Sequence, residues 1–257
     1  MKKLCLILLP LIIFCCDSST EPRLNLVIYQ VTEADDSSLP VEVKNNYLDD
    51  AYRLSLREMQ NKNPLETQTV EIPEESAMMY YKGLIHIYNA TLIEARDSVV
   101  KIFSIHTFLN PRFNEFLIGV TDTNLSWVKK WRSGEKITGV KELDDLVNKY
   151  SISIKSAYIS YPLTFIMYTP QRNNLNALCL LFSKIQRVRF AEPNGYFGDG
   201  NDITAVVGDE KIIYTFTLGW GDCPSGCTAW HSWEFEVSIN GNVKYNGSSG
   251  QSVIGIR

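Results

Sequence analysis

Near the C-terminus Cys223, Cys227 and His231 stand four residues apart, and Asp222 precedes the first of them. Two thiolates and an imidazole are soft ligands of the kind that hold zinc, with Asp222 as a possible fourth. The same thiols flank Pro224-Ser225-Gly226, a run of turn-forming residue types, so they could instead close a small disulfide loop. A spacing of four aligns side chains on a helix but not on a loop that leads into a strand, and an oxidising compartment favours the bridge. The disulfide Cys223–Cys227 is therefore the expected state, with a metal site as the alternative.

Gly198-Asp199-Gly200-Asn201-Asp202 offers three oxygen-bearing side chains in a glycine-rich loop, the donor chemistry of calcium. Asp, Asn and Gly are also what tight turns use, and no Gly stands at the sixth position of a loop that starts at Asp199. Trp220 and Trp230 give the tail an aromatic surface that could bind a partner or belong to a core. His86 lies between Ile85 and Ile87, and His106 lies in Ile105-His106-Thr107-Phe108; neither has a partner at metal-ligand spacing. No Gly-x-Ser-x-Gly elbow and no glycine-rich phosphate loop occurs, and the acid pairs Glu74/Glu75 and Asp144/Asp145 read as helix surface. No catalytic residue is assigned and no cofactor is expected. An enzyme that uses a metal at Asp199, Asp202 or His231 remains the third functional class. Cys179, on an apolar helix, reads as a small buried hydrophobe.

The elements that must position these residues follow from periodicity. Leu24 to Tyr29 is β-rich, Val41 to Asn61 is helical with Tyr47, Ala51, Leu54 and Met59 near one face, and Pro73-Glu74-Glu75 opens a second helix. From Phe116 the order is a strand (117–120), helices (125–131 and 140–150), two strands (152–159 and 163–168), an apolar helix (175–185) and a strand (188–191). That is β-α-β-β-α-β, the order of a ferredoxin-like sandwich. After Asn194 alternating apolar and polar positions over 212–218 and 231–239, then Asn240-Gly241, predict an antiparallel meander. The expected fold is α+β: a helical part (24–115) packed on the ferredoxin-like unit (116–194), followed by the meander (195–257).

Met1-Lys2-Lys3 followed by an apolar run to Phe14 reads as a secretory leader, too short to span a bilayer as a helix. The leader ends at Ile13-Phe14-Cys15-Cys16, followed by Asp17-Ser18-Ser19-Thr20, and this junction resembles a bacterial lipoprotein signal. The resemblance implies cleavage after residue 15, acyl chains on Cys16, a tether over 16–23 and residence at the bacterial cell envelope. Two or more chains hold a protein stably on a membrane, at about 0.8 kcal/mol per buried CH₂.

Val188-Arg189-Phe190-Ala191-Glu192-Pro193-Asn194, fed by the apolar helix, is similar to the end of the propeptide domain of subtilases. That likeness covers residues 116–194 and implies a ferredoxin-like fold and an inhibitory or folding-assistant role. Only 63 residues follow Asn194, too few for a catalytic domain, so a protease precursor is excluded. The tail Gly219-Trp220-Gly221-Asp222-Cys223-Pro224-Ser225-Gly226-Cys227 resembles that of bacterial lipoproteins of unassigned function; it implies export and a shared fold but no activity.

Formal charge is −4, and loss of Lys2 and Lys3 with the leader makes it −6. No Lys/Arg stripe is present, so nucleic acid is not an expected partner. The sequence thus points to a lipid-anchored, non-catalytic module that binds a protein or a small ligand through the loops near 195–202 and 219–230.

Overall fold

The computed structural model describes residues 24–159 and 161–253; the leader, Cys16 and the tether lie outside these. The fold is α+β, with two antiparallel four-stranded sheets. Helix α1 (Val41–Lys62) follows Pro40, and α2 (Glu74–Asn89) follows Pro73 with Glu74 and Glu75 in its first turn, where acid favours the positive end of the helix dipole. The short α3 (Glu94–Asp97) passes into a π-helical turn (Ser98–Ile102), and an irregular segment over 103–114 leads to β1 (Glu115–Val120).

Next come α4 (Ser126–Arg132), α5 (Lys141–Lys149), β2 (Ser153–Tyr158), β3 (Leu163–Tyr168), α6 (Leu175–Ser183) and β4 (Val188–Pro193). Their strands form the first sheet in the order β2-β3-β1-β4. Phe116, Ile118 and Val120 of β1 and Leu163, Phe165 and Met167 of β3 point to one face, as residues two apart on a strand must. Trp127, Trp131, Leu143, Leu178 and Phe182 of α4, α5 and α6 cover that face.

The second sheet is a meander of β5 (Asp202–Gly208), β6 (Lys211–Trp220), β7 (Ala229–Ser238) and β8 (Val243–Gly250), each paired with the next. Its inner face, with Ile203, Ile212, Tyr214, Phe216, Trp233, Phe235 and Val237, is covered by α1 and α2. Here the structure departs from the expected packing. The helical first part shares its core with the meander, and the first sheet has a core of its own; Leu56, Met59, Ile72 and Phe113 form a small third cluster. Helix α2 approaches β6 so closely that a Cβ on Gly83 would lie 2.1 Å from the Tyr214 hydroxyl, which donates to Tyr80 O. Only glycine fits there.

A second departure concerns Leu24 to Tyr29, which is not a strand. Its β-prone side chains find packing rather than a ladder: Leu24 and Leu26 lie against Leu56 and Met59, and Tyr29 against the α2 core. Burial of apolar surface is what such residues need, and an edge strand is only one way to obtain it. No described helix is long and apolar enough to cross a membrane.

Candidate functional site

Three loops meet where the two cores join: 106–111, 195–201 and 221–228. One stripe of α1, Asp50, Arg53 and Arg57, holds the first of them. The Asp50 carboxylate is buried; Oδ1 accepts from Thr107 N at 2.8 Å and Thr107 Oγ1 at 2.7 Å, and Oδ2 lies 2.6 Å from His106 Nδ1. Arg53, also buried, donates to Thr107 Oγ1 and to Pro111 O and stacks on Phe113. Burial pulls the Arg53 pKa below the usual guanidinium range, and Asp50 opposes that pull by stabilising the cation.

Arg57 ties the same loop to β5. Its Nη1 donates to both carboxylate oxygens of Asp202, at 2.9 and 3.1 Å, and to Ile203 O, and its Nη2 donates to Phe108 O and Asn110 O. Asp202 Oδ1 in turn accepts from Phe108 N and Ile203 N. Asn110 then reads the second loop as a strand neighbour would, with Nδ2 donating to Tyr196 O at 2.6 Å and Oδ1 accepting from Tyr196 N at 2.9 Å. Arg112 covers the Tyr196 ring at 3.8 Å.

The third loop is the disulfide. Cys223 and Cys227 are joined, with sulfurs 2.12 Å apart, so they are not available as thiolate ligands. Asp199 N donates to Cys223 O at 2.8 Å. Gly198, at φ +85°, passes so close that a Cβ there would lie 2.6 Å from the same carbonyl, which makes glycine necessary on both counts.

The sequence-derived candidates can now be placed. Asp199, Asn201 and Asp202 do not converge: Asp199 Oδ1 accepts from Gly200 N, Asn201 Oδ1 from Gly219 N, and Asp202 serves Arg57. His231 Nδ1 lies 2.7 Å from Gln251 O, and His86 Nε2 lies 2.9 Å from Thr32 O. Among the described residues no group of three or more His, Cys, Asp and Glu is placed to hold a metal ion. Trp220 and Trp230 do not share a surface. They pair with Ala229 and Gly219 respectively, one rung apart, so they point to opposite faces of the second sheet. Trp220 packs into the inner core, whereas Trp230 lies over Gly219 beside Cys227 Sγ on the outer face. Cys179 is buried, and burial pushes its thiol pKa up.

What the junction presents to solvent is apolar and absent from the sequence-derived set: Phe197 is fully exposed, and Leu109 and Tyr196 are close to half exposed. Exposure and hydrophobicity together could have flagged them only once the elements around them were known, because Phe and Leu in a sequence read as core. Glu115, at the start of β1, anchors the far end of the second loop. Its carboxylate accepts from Arg112, Lys155 and Asn194, and its carbonyl accepts from Asn194 N. Burial alone would raise the Glu115 pKa, but Lys155, Asn194 and Arg112 together hold it below the usual carboxylate range. Comparison with protein-family models, curated proteins and solved structures gives no match for this chain.

Proposed function

We propose that this is an exported bacterial lipoprotein, held at the cell envelope by acyl chains on Cys16, whose body binds a partner protein and performs no chemistry on it. The observation that carries the reading is the junction surface. Leu109, Tyr196 and Phe197 are exposed, yet Asn110 bonds the backbone of Tyr196, Arg57 and Asp202 bond that of Phe108 and Asn110 on either side of Leu109, and the disulfide loop bonds Asp199 two residues beyond Phe197. An apolar side chain presented on ordered backbone loses little entropy on binding, which is what a recognition anchor needs. The eight residues 16–23 reach at most roughly 28 Å, so the body stands near the membrane without needing to touch it.

Within this reading the unit 115–193 is a ferredoxin-like sandwich. The strand order β2-β3-β1-β4, with helices on one face, supports it. A second function keeps its footing for one reason: after β4 the chain runs exposed and without regular structure over 195–199. Such a segment suits a propeptide-like inhibitor or folding assistant of a subtilase. Two experiments test these readings. Intact mass of the mature protein from its native envelope should show acylation at Cys16, and retention of envelope proteins on the purified body should be lost in Leu109→Ala/Phe197→Ala with thermal stability unchanged. Retention unaffected by that pair overturns the junction surface, and inhibition of subtilases at micromolar concentration would favour the second function.

A further inference from the structure

The two sheets have four edge strands, and three of them are protected against pairing with another chain. In β2 a bulge at Lys155 interrupts the ladder between Ile154 and Ser156; in β4 a bulge at Arg189 falls opposite Gly119/Val120, and Pro193 ends the strand. In β8 Asn246 is the extra residue opposite Glu234/Phe235, next to Gly247. Bulges, charges and proline are the usual devices that stop edge-to-edge association. Strand β5 has none of them: its seven residues, Asp202-Ile203-Thr204-Ala205-Val206-Val207-Gly208, pair with β6 without a register shift, and its one charge is taken by Arg57.

The outer edge of β5 already shows how it takes a partner. Ile203 N donates to Asp202 Oδ1 and Ile203 O accepts from Arg57 Nη1, so the polar groups of Ile203 point away from β6. In an antiparallel ladder this direction recurs every second residue, so Ala205 and Val207 present their N–H and C=O groups to the same side. Among the described residues nothing bonds them there. The side chains of one α1 stripe, Leu54, Arg57, Glu58, Asn61 and Lys62, face Thr204–Val207 across a cavity of about 310 Å³, with Tyr80 lining it as well.

We propose that this slot between α1 and β5 receives an extended, uncharged segment of a partner protein, which adds to the second sheet as a fifth strand. Charge selects the segment. The slot's ionic groups are paired with each other, Arg57 with Asp202 and Glu58 with Lys62 and the Tyr80 hydroxyl, so its complement carries no net charge. Ala205 and Val207 point to the inner side of the sheet, so Leu54 and the ring of Tyr80 face the partner side chains directly opposite those two residues. A second copy of this chain paired through β5 is the competing occupant, and the test separates the two. The inference stands apart from the junction surface and does not depend on it.

The test uses the full chain and a displayed library of random nonapeptides as the probe, with amide exchange of the wild-type protein as the readout. The expected result is enrichment of uncharged, alternating peptides that protect the amides of Ala205 and Val207. Ala205→Pro removes one outward N–H and leaves the β6 ladder intact, since proline is tolerated on an edge strand in that orientation. It should weaken the enriched peptides by about tenfold or more, the value of one lost ladder bond plus the crowding of the ring. The proposal is overturned if no peptide is enriched, if a folded Ala205→Pro variant binds equally well, or if the protected amides are those of 106–111, 195–201 or 221–228. Protection of Ala205 and Val207 by concentration-dependent dimers in the absence of peptide would also overturn it.

Discussion

Removal of the Arg57 guanidinium is the most informative single perturbation, because five hydrogen bonds from one side chain join α1, the 106–111 loop and β5. Arg57→Met keeps most of the stem and deletes the fork. Breaking a fully buried ion pair by removing one partner costs about 3–5 kcal/mol, but here the two side chains are 22% and 26% exposed and water can replace part of the loss. Asp202 also keeps Phe108 N and Ile203 N as donors. The expected loss is therefore about 2–3 kcal/mol. Asp202→Asn keeps an oxygen for Phe108 N and should cost about 1–2 kcal/mol, with a coupling of about 1 kcal/mol between the two changes. Urea unfolding of the body, with the denaturant slope checked for constancy, measures all three quantities. Amide exchange should also quicken over 106–111 before it does in the first-sheet core. A loss under about 0.5 kcal/mol for Arg57→Met, or strict additivity of the pair, would refute the clamp.

Glu115 should make stability fall in acid. Its folded pKa lies below the unfolded value, so its contribution is complete above the unfolded pKa and disappears as pH falls through the folded one; Glu115→Gln should flatten that slope in an acid titration and cost about 1–2 kcal/mol at neutral pH. Reduction of Cys223–Cys227 should cost about 2 kcal/mol or less, because the closed loop is short, and exchange should quicken at Asp199, whose N–H bonds Cys223 O. Trp220→Ala should destabilise the body by about 2–4 kcal/mol through the inner core, whereas Trp230→Ala on the outer face should cost about 1 kcal/mol, as read by thermal unfolding. Equal costs would contradict their placement on opposite faces.

The elements whose side chains meet a core within their own period were legible in the sequence. Tyr47, Ala51, Leu54 and Met59 mark the buried stripe of α1, and Phe216, Leu218, Trp233 and Phe235 mark the inner face of the meander. The turn at Asn240-Gly241 was legible too, since Gly241 adopts φ +80°. Leu24 to Tyr29 misled because β propensity records how side chains pack and not whether a ladder partner exists. The joining of α1 and α2 to the meander was out of reach for another reason: a helix stripe states that it is buried, not against which of two available sheets. The site suffered most. Arg57 and Asp202 are 145 residues apart, and nothing local to either indicates the other. Asp202 had the right chemistry for a cation, and the cation proved to be a guanidinium. The two tryptophans were grouped by residue type, although the strand period already separates an even position on β6 from an even position on β7 when the register pairs 219 with 230.

The central claim, that the tied-down junction is a protein-recognition surface of an envelope lipoprotein, is tested most directly by a photo-crosslinking residue placed at Phe197 in the full chain, within its native envelope. Leu92, equally exposed and outside the three loops, serves as the control position. The account predicts a discrete protein adduct from position 197 that is absent from position 92 and is lost when Cys16→Ala prevents anchoring. No adduct from 197, or the same adducts from both positions, would contradict it.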